Sequence, residues 1–187
     1  MKVVTVTGYK SHELGIFDQK HPWVTYIKKA LENKISQLVE EGLEWVIISG
    51  QLGVELWAGE VTISLKQTYP DLKLAILTPF LNQEDRWNEK TKAYYQEVYQ
   101  QADFTESITK REYTSPAQLK LKNDYLIAKS DALVVLYDEE KQGSPSYYLT
   151  PAKKRQETEG YEIFFITPDD LEMIDQEERE ANPDYWN

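Results

Sequence analysis

Residues Glu44 to Glu55 read E-W-V-I-I-S-G-Q-L-G-V-E. Trp45, Val46, Ile47 and Ile48 form an apolar run of strand length, Ser49-Gly50 breaks it, and helical spacing resumes near Leu52. A strand that turns through glycines into a helix predicts part of a parallel strand-helix-strand crossover. The helix start would aim unpaired backbone N–H groups back over the strand end, which favours anions and phosphate above all.

Comparable runs recur at Val3 to Thr7, Leu72 to Leu77, Ala132 to Tyr137 and Glu162 to Ile166. They are near-continuous rather than alternating, as in strands buried on both faces of a parallel sheet. Segments of helical period lie between them. Val24, Ile27, Leu31, Ile35, Leu38 and Val39 share one face before Gly42, and Leu52, Leu56, Ile63 and Leu65 precede Pro70. A third helix carries Trp87, Tyr94, Tyr95, Val98 and Tyr99, with Asn82, Glu84 and Asp85 marking its start. A fourth runs to Lys129, with Ser115 as cap, Pro116 in the first turn and Gln118 at capping-box spacing. Asp103 to Thr105 is the candidate for a further short strand. The expected fold is α/β, a three-layer Rossmann-like sandwich with a mostly parallel central sheet and right-handed crossovers.

The chain of 187 residues is 41% apolar and suits one domain over 1–170, followed by an acidic C-terminal tail over 171–187. Net charge is −11, of which Pro168 to Asn187 carries −7 and the remaining body −4. That tail reads as a solvated helix followed by disorder. The balance opposes a nucleic-acid groove, because backbone binding needs phosphates neutralised by Lys and Arg. No run approaches the roughly 20 apolar residues that cross a bilayer, and the N-terminus reads as a strand, so no membrane insertion and a cytoplasmic location are expected. Zero cysteines exclude disulfides, thiolate nucleophiles and Cys-ligated zinc. His12 and His21 are too few for a convincing metal site, and none is expected.

Ligands of open parallel sheets sit beyond the carboxyl ends of the strands, where neighbouring crossovers diverge. Three glycine-bearing loops fall there: T-G-Y-K-S-H-E-L-G from Thr7, the turn from Gly50 to Glu55, and D-E-E-K-Q-G-S-P-S from Asp138. At I-I-S-G-Q-L-G-V-E-L-W, V-T-G-Y-K and L-Y-D-E-E-K-Q-G-S-P-S-Y, the chain resembles the YpsA-like family of Gram-positive bacteria from Lys2 to about Asp170. That family lies within the SLOG group, which includes DprA and the LOG phosphoribohydrolases. The resemblance implies a nucleotide or nucleotide-derived ligand of the NAD or ADP-ribose kind, and a link to cell division or stress.

Carried over by motif, the resemblance implies a phosphate-binding turn at Ser49, Gly50, Gln51, Gly53 and Glu55. Gly50 and Gly53 would admit phosphate to the main chain, so amides around 50 to 53 would form an anion cradle. It implies a second motif at Gly143, Ser144 and Pro145, with Tyr147 or Tyr148 flanking a base. In the first loop, after Gly8, the Tyr9 ring could stack and the Lys10 ammonium meet phosphate. Each glycine also has an architectural reading, a turn that needs it for geometry alone. The LOG motif P-G-G-x-G-T-x-x-E is absent after Tyr137, as is the dehydrogenase fingerprint G-x-G-x-x-G.

With no complete catalytic motif, a sensor or regulator is preferred to an enzyme. The alternative is a phosphoribohydrolase-like activity on N-glycosidic bonds, with Glu55 or Asp138 handling water or ribose. The last is a DprA-like single-strand DNA binder or an interaction module, with an aromatic face around Tyr94 to Tyr99 as a homodimer contact.

Overall fold

A computed structural model describes residues 1–186; Asn187, the last residue of the expected tail, lies outside them. Six strands form the sheet: β1 (Val3–Thr7), β2 (Trp45–Ile48), β3 (Lys73–Thr78), β4 (Phe104–Ser107), β5 (Ala132–Leu136) and β6 (Glu162–Ile166). All are parallel, in the order β4-β3-β2-β1-β5-β6. Asp103 to Thr105 thus falls at the start of edge strand β4. From β1 the chain steps outward through β2 and β3 to β4, then returns to place β5 on the other side of β1. The topological switch point lies between β1 and β5, where Val4 pairs with Ala132 and Thr7 with Val135.

Alternate strand residues feed two cores. Val4, Val6, Val46, Ile48, Leu74, Ile76 and Val134 meet α2 (Pro22–Glu40), α3 (Val54–Leu65) and α4 (Glu89–Gln100) on one face. Ile47, Ala75, Leu77, Leu133 and Val135 meet α5 (Ala117–Lys129) and α6 (Pro145–Glu159) on the other. This is the three-layer sandwich that near-continuous apolar strands require. A single-turn helix, α1 (Ser11–Leu14), follows β1, and α7 (Pro168–Ala181) follows β6.

Helix starts depart from the sequence expectations in two places. Asn82 lies in a turn at φ 57°, and the cap of α4 is Asn88, whose side chain accepts from Thr91 N at 2.9 Å. Six further residues of turn therefore precede the helix. At α5, Gln118 Oε1 accepts from Thr114 N at 2.6 Å and Ser115 N at 3.1 Å. The glutamine half of the box is present, but a helix opening at Ala117 leaves Ser115 one position too early to cap it.

The aromatic face of α4 is turned inward. Tyr95 is buried, Tyr99 stacks on it, and Tyr94 donates to Glu60 of α3 at 2.6 Å, so this face is not the exposed contact expected for a homodimer. The expected acidic tail begins inside α7. Thr167 and Asp170 form its capping box, and Leu171 and Ile174 are buried in the core with α2. The helix is solvated on one side only, because apolar residues three apart share a face.

Candidate functional site

At the switch point the loops after β1, β2 and β5 meet the inward face of α5 around a cavity of about 100 Å³. Thr7, Gly8 and Lys10 line it from β1 and its loop, and Gln51 and Glu55 from the turn into α3. Lys122 and Asn123 close it from α5, and Ser144, Tyr147 and Tyr148 from the start of α6.

Its floor is a buried polar network centred on Glu55. One carboxylate oxygen accepts from Ser49 N and Ser49 Oγ, both at 2.7 Å; the other accepts from Thr7 Oγ1 at 2.9 Å and Tyr148 OH at 3.3 Å. Lys122 Nζ donates to Tyr148 OH at 2.6 Å and Ser49 Oγ at 3.2 Å. The ammonium and carboxylate are thus joined through two hydroxyls, and all four side chains are buried. Buried charges persist only when opposed and hydrogen-bonded in this way.

Burial lowers the Lys122 pKa to about 8, against the opposing pull of Glu55 and with Lys10 adding to the depression. Between about pH 8 and 10 the unfolded chain holds a proton that the folded chain has released, so stability rises with pH in that window. The same contribution is lost as pH falls through 8. Tyr148, pushed well above its ordinary value by burial and then by Glu55, reverses the trend above pH 10. Wild-type stability measured against Lys122→Met should therefore climb from pH 7.5 to 9.5, with a slope approaching about 1.4 kcal/mol per pH unit. A difference that stays flat across urea titrations in that range would show that Lys122 keeps its ordinary affinity for protons.

The residues expected from sequence divide into two sets. Gly8, Lys10, Gln51, Glu55 and Ser144 line the cavity. Tyr9, Ser49, Gly50, Gly53, Gly143 and Pro145 do not, and most have packing duties instead. A β-carbon at Gly53 would stand 2.6 Å from Ser11 N and Tyr9 O, because the first loop lies across the turn. Val54 N donates to Tyr9 O and Ser11 N to Leu52 O, making Lys10 and Gly53 an antiparallel bridge. Gly50 faces Tyr95 and Gln83, which donates to Ser49 O and accepts from Gln51 Nε2. The space that a side chain would need at Gly50 and Gly53 is therefore filled by this protein's own loop and side chains, which gives both glycines an architectural role.

Tyr9 is buried rather than available for stacking on a ligand. Its hydroxyl accepts from Asp138 N at 2.9 Å and sits 2.6 Å from Lys141 O, pinning the first loop to the third, and its ring lies against Tyr137. The space beside Ser144 at the start of α6 is partly taken too. Glu13 accepts from Ser144 N at 2.8 Å and Ser144 Oγ at 2.6 Å, and its carboxylate meets any β-carbon built at Gly143. Asp138 stands outside the cavity lining, with its carboxylate accepting from Glu140 N at 2.9 Å. Of the two tyrosines weighed against a base, Tyr148 belongs to the buried network and Tyr147 is exposed.

Lys122 and Asn123 were not singled out from sequence, although a signal exists. Leu119, Lys122, Asn123, Leu126 and Ile127 follow the i, i+3, i+4, i+7, i+8 spacing of an inward helix face. A lysine and an asparagine at two core positions of that stripe mark a buried polar site.

A parallel sheet with a cavity at its switch point defines a Rossmann-like α/β protein. The family model described as the YspA SLOG family matches residues 4–171, and the chain belongs to the YpsA family. A UPF0398 protein of Halalkalibacterium halodurans is 63% identical over 178 residues, covering 95% of this chain and 94% of its own. A UPF0398 protein of Bacillus thuringiensis (strain Al Hakam) is 57% identical over 187 residues, covering 100% and 98%. Among solved structures, DNA processing protein A from Helicobacter pylori, described in its single-stranded DNA binding mode, is similar with TM-score 0.54 and 18% identity. The match covers 87% of this chain and 64% of that chain, slightly under two thirds, and at this identity it shows the fold alone. No helix among the described residues is long and apolar enough to cross a membrane.

Proposed function

We propose that this protein binds a nucleotide or nucleotide derivative, of the NAD or ADP-ribose kind, in the switch-point cavity, and acts as a sensor or regulator. The carrying observation is that a chain of net charge −11 lines one small cavity at its strand ends with two lysines, Lys10 and Lys122, against one carboxylate, Glu55. Positive charge focused in a low-dielectric cleft of an acidic protein selects anions. Sensing is favoured over hydrolysis by the state of the carboxylates. Glu55 accepts four hydrogen bonds, which uses the roughly four lone-pair sites a carboxylate has, and Asp138 lies off the cavity. Neither is left to activate a water. Membership of the YpsA family supports placing that role in cell division or stress.

Calorimetry against NAD, ADP-ribose, AMP and cyclic dinucleotides tests the reading. At least one should bind, with affinity falling as pH passes about 8 and Lys122 gives up its proton. Uniform absence of heat would overturn it. The fold it shares with DNA processing protein A favours a second reading, single-stranded DNA binding, against the expectation from net charge. Retention of an oligodeoxynucleotide that falls steeply with added salt would establish that reading instead.

A further inference from the structure

The cavity is too small for the ligand it is proposed to hold. About 100 Å³ accommodates a phosphate or a ribose, whereas sites for whole small-molecule ligands run to roughly 300–1,000 Å³. A groove of about 1050 Å³ runs between α5 and α6, and Leu119, Asn123 and Tyr147 line both spaces. The two are contiguous, so a ligand seated at the strand ends has one direction in which to extend.

Asn123 stands at the junction. It is 8% exposed, and its Oδ1 is buried with no hydrogen-bond partner among the described residues. Buried polar atoms of native proteins are nearly always satisfied, and an exception marks a role or a missing partner. Lys122 beside it uses two of its three donors on Ser49 and Tyr148. Tyr147, 72% exposed at the mouth of the groove, presents a ring that nothing in the fold requires to be there.

We infer that Asn123 determines specificity by turning its side-chain amide, whose Oδ1 lacks a partner, to a ribose hydroxyl, and that the base attached to that ribose lies in the α5–α6 groove against Tyr147. The inference rests on the nucleotide-binding reading and adds a direction to it: phosphate toward Lys10 and Lys122, sugar at Asn123, base between the helices. It separates this site from one in which the whole nucleotide lies over the sheet edge.

Calorimetry with AMP, 2′-deoxy-AMP, 3′-deoxy-AMP and ribose 5-phosphate tests it, using wild type, Asn123→Leu and Thr150→Trp, each checked for a normal melting curve. Thr150 is exposed in the groove and touches none of the network, so a tryptophan there fills the space without disturbing the cavity. Wild type should lose about tenfold in affinity for one of the two deoxy analogues, the effect of one hydrogen bond. Asn123→Leu should bind AMP about tenfold more weakly and no longer distinguish that analogue. Thr150→Trp should weaken AMP while leaving ribose 5-phosphate unchanged. If Asn123→Leu discriminates the hydroxyls as wild type does, or Thr150→Trp binds AMP normally, the inference is overturned and the nucleotide reading stands. Wild type that ignores all four overturns the inference as well; if NAD, ADP-ribose and cyclic dinucleotides also fail, the nucleotide reading goes with it.

Discussion

Gly53→Val is expected to lower the melting temperature by roughly 10 °C or more, whether or not a nucleotide is present. Two independent terms add. The position has φ 105° and ψ −133°, a conformation that costs a side-chain-bearing residue about 1–3 kcal/mol. The new β-carbon would also stand 2.6 Å from two backbone atoms, Ser11 N and Tyr9 O, which cannot rotate away as a flexible side chain would. Relief requires the first loop to lift, breaking the Val54-to-Tyr9 and Ser11-to-Leu52 hydrogen bonds. Gly160 supplies the control. It too has positive φ, 72°, but open space where a β-carbon would go, so Gly160→Ala should cost only about 1–2 kcal/mol, the left-handed conformation alone. Parallel thermal melts of the two variants separate strain from collision. A Gly53→Val protein that melts with wild type but loses ligand would restore the anion-cradle reading of this turn.

Glu55→Leu should destabilise the protein by about 3–5 kcal/mol, the loss typical of removing one partner from a buried charged network. Ser49 N, Ser49 Oγ and Thr7 Oγ1 would lose their acceptor, and the buried Lys122 would lose its opposing charge. Glu55→Gln keeps the shape and one acceptor, and the hydroxyls of Thr7 and Tyr148 can turn to accept from the new amide, so its loss should be smaller. The double variant Glu55→Leu/Lys122→Met should recover much of the single-variant loss, since neither charge then remains unpaired. Urea denaturation at pH 7 reads all three. Equal losses for Glu55→Leu and Glu55→Gln, or strict additivity in the double variant, would show that the two charges do not depend on each other.

Sequence revealed the sheet better than the site. Strands β1, β2, β5 and β6 are legible because an apolar run that does not alternate has few homes other than a sheet covered on both faces. Helix starts were harder, since Asn82 and Asn88 are both followed closely by acids, and the contacts of residues 82 to 87 are tertiary: Trp87 packs on Tyr95 and Gln83 donates to Ser49 O. The three loops were found because glycine marks sharp turns, but glycine is silent on what occupies the space it leaves. At Gly53 that is the backbone of Tyr9 to Ser11, and at Gly143 the carboxylate of Glu13. Lys122 escaped because a lysine within a helix reads as solvent-facing until its stripe is traced, and Tyr148 reads only as a neighbour of a base because the crossovers that bring both residues to the Glu55 network are properties of the topology.

That topology also sets an order of events at the ribosome. Glu55 and Tyr148 lie 93 residues apart, and Glu55 and Lys122 meet only once α5 has crossed back over the sheet. At about 5–20 residues per second, translation delivers Tyr148 roughly 5–20 s after Glu55 has been synthesised. Throughout that interval the carboxylate stays hydrated even with β2 and α3 in place, because α5 and α6, which cover it, have not yet been made, so the cost of stripping its water falls on the last stage of assembly.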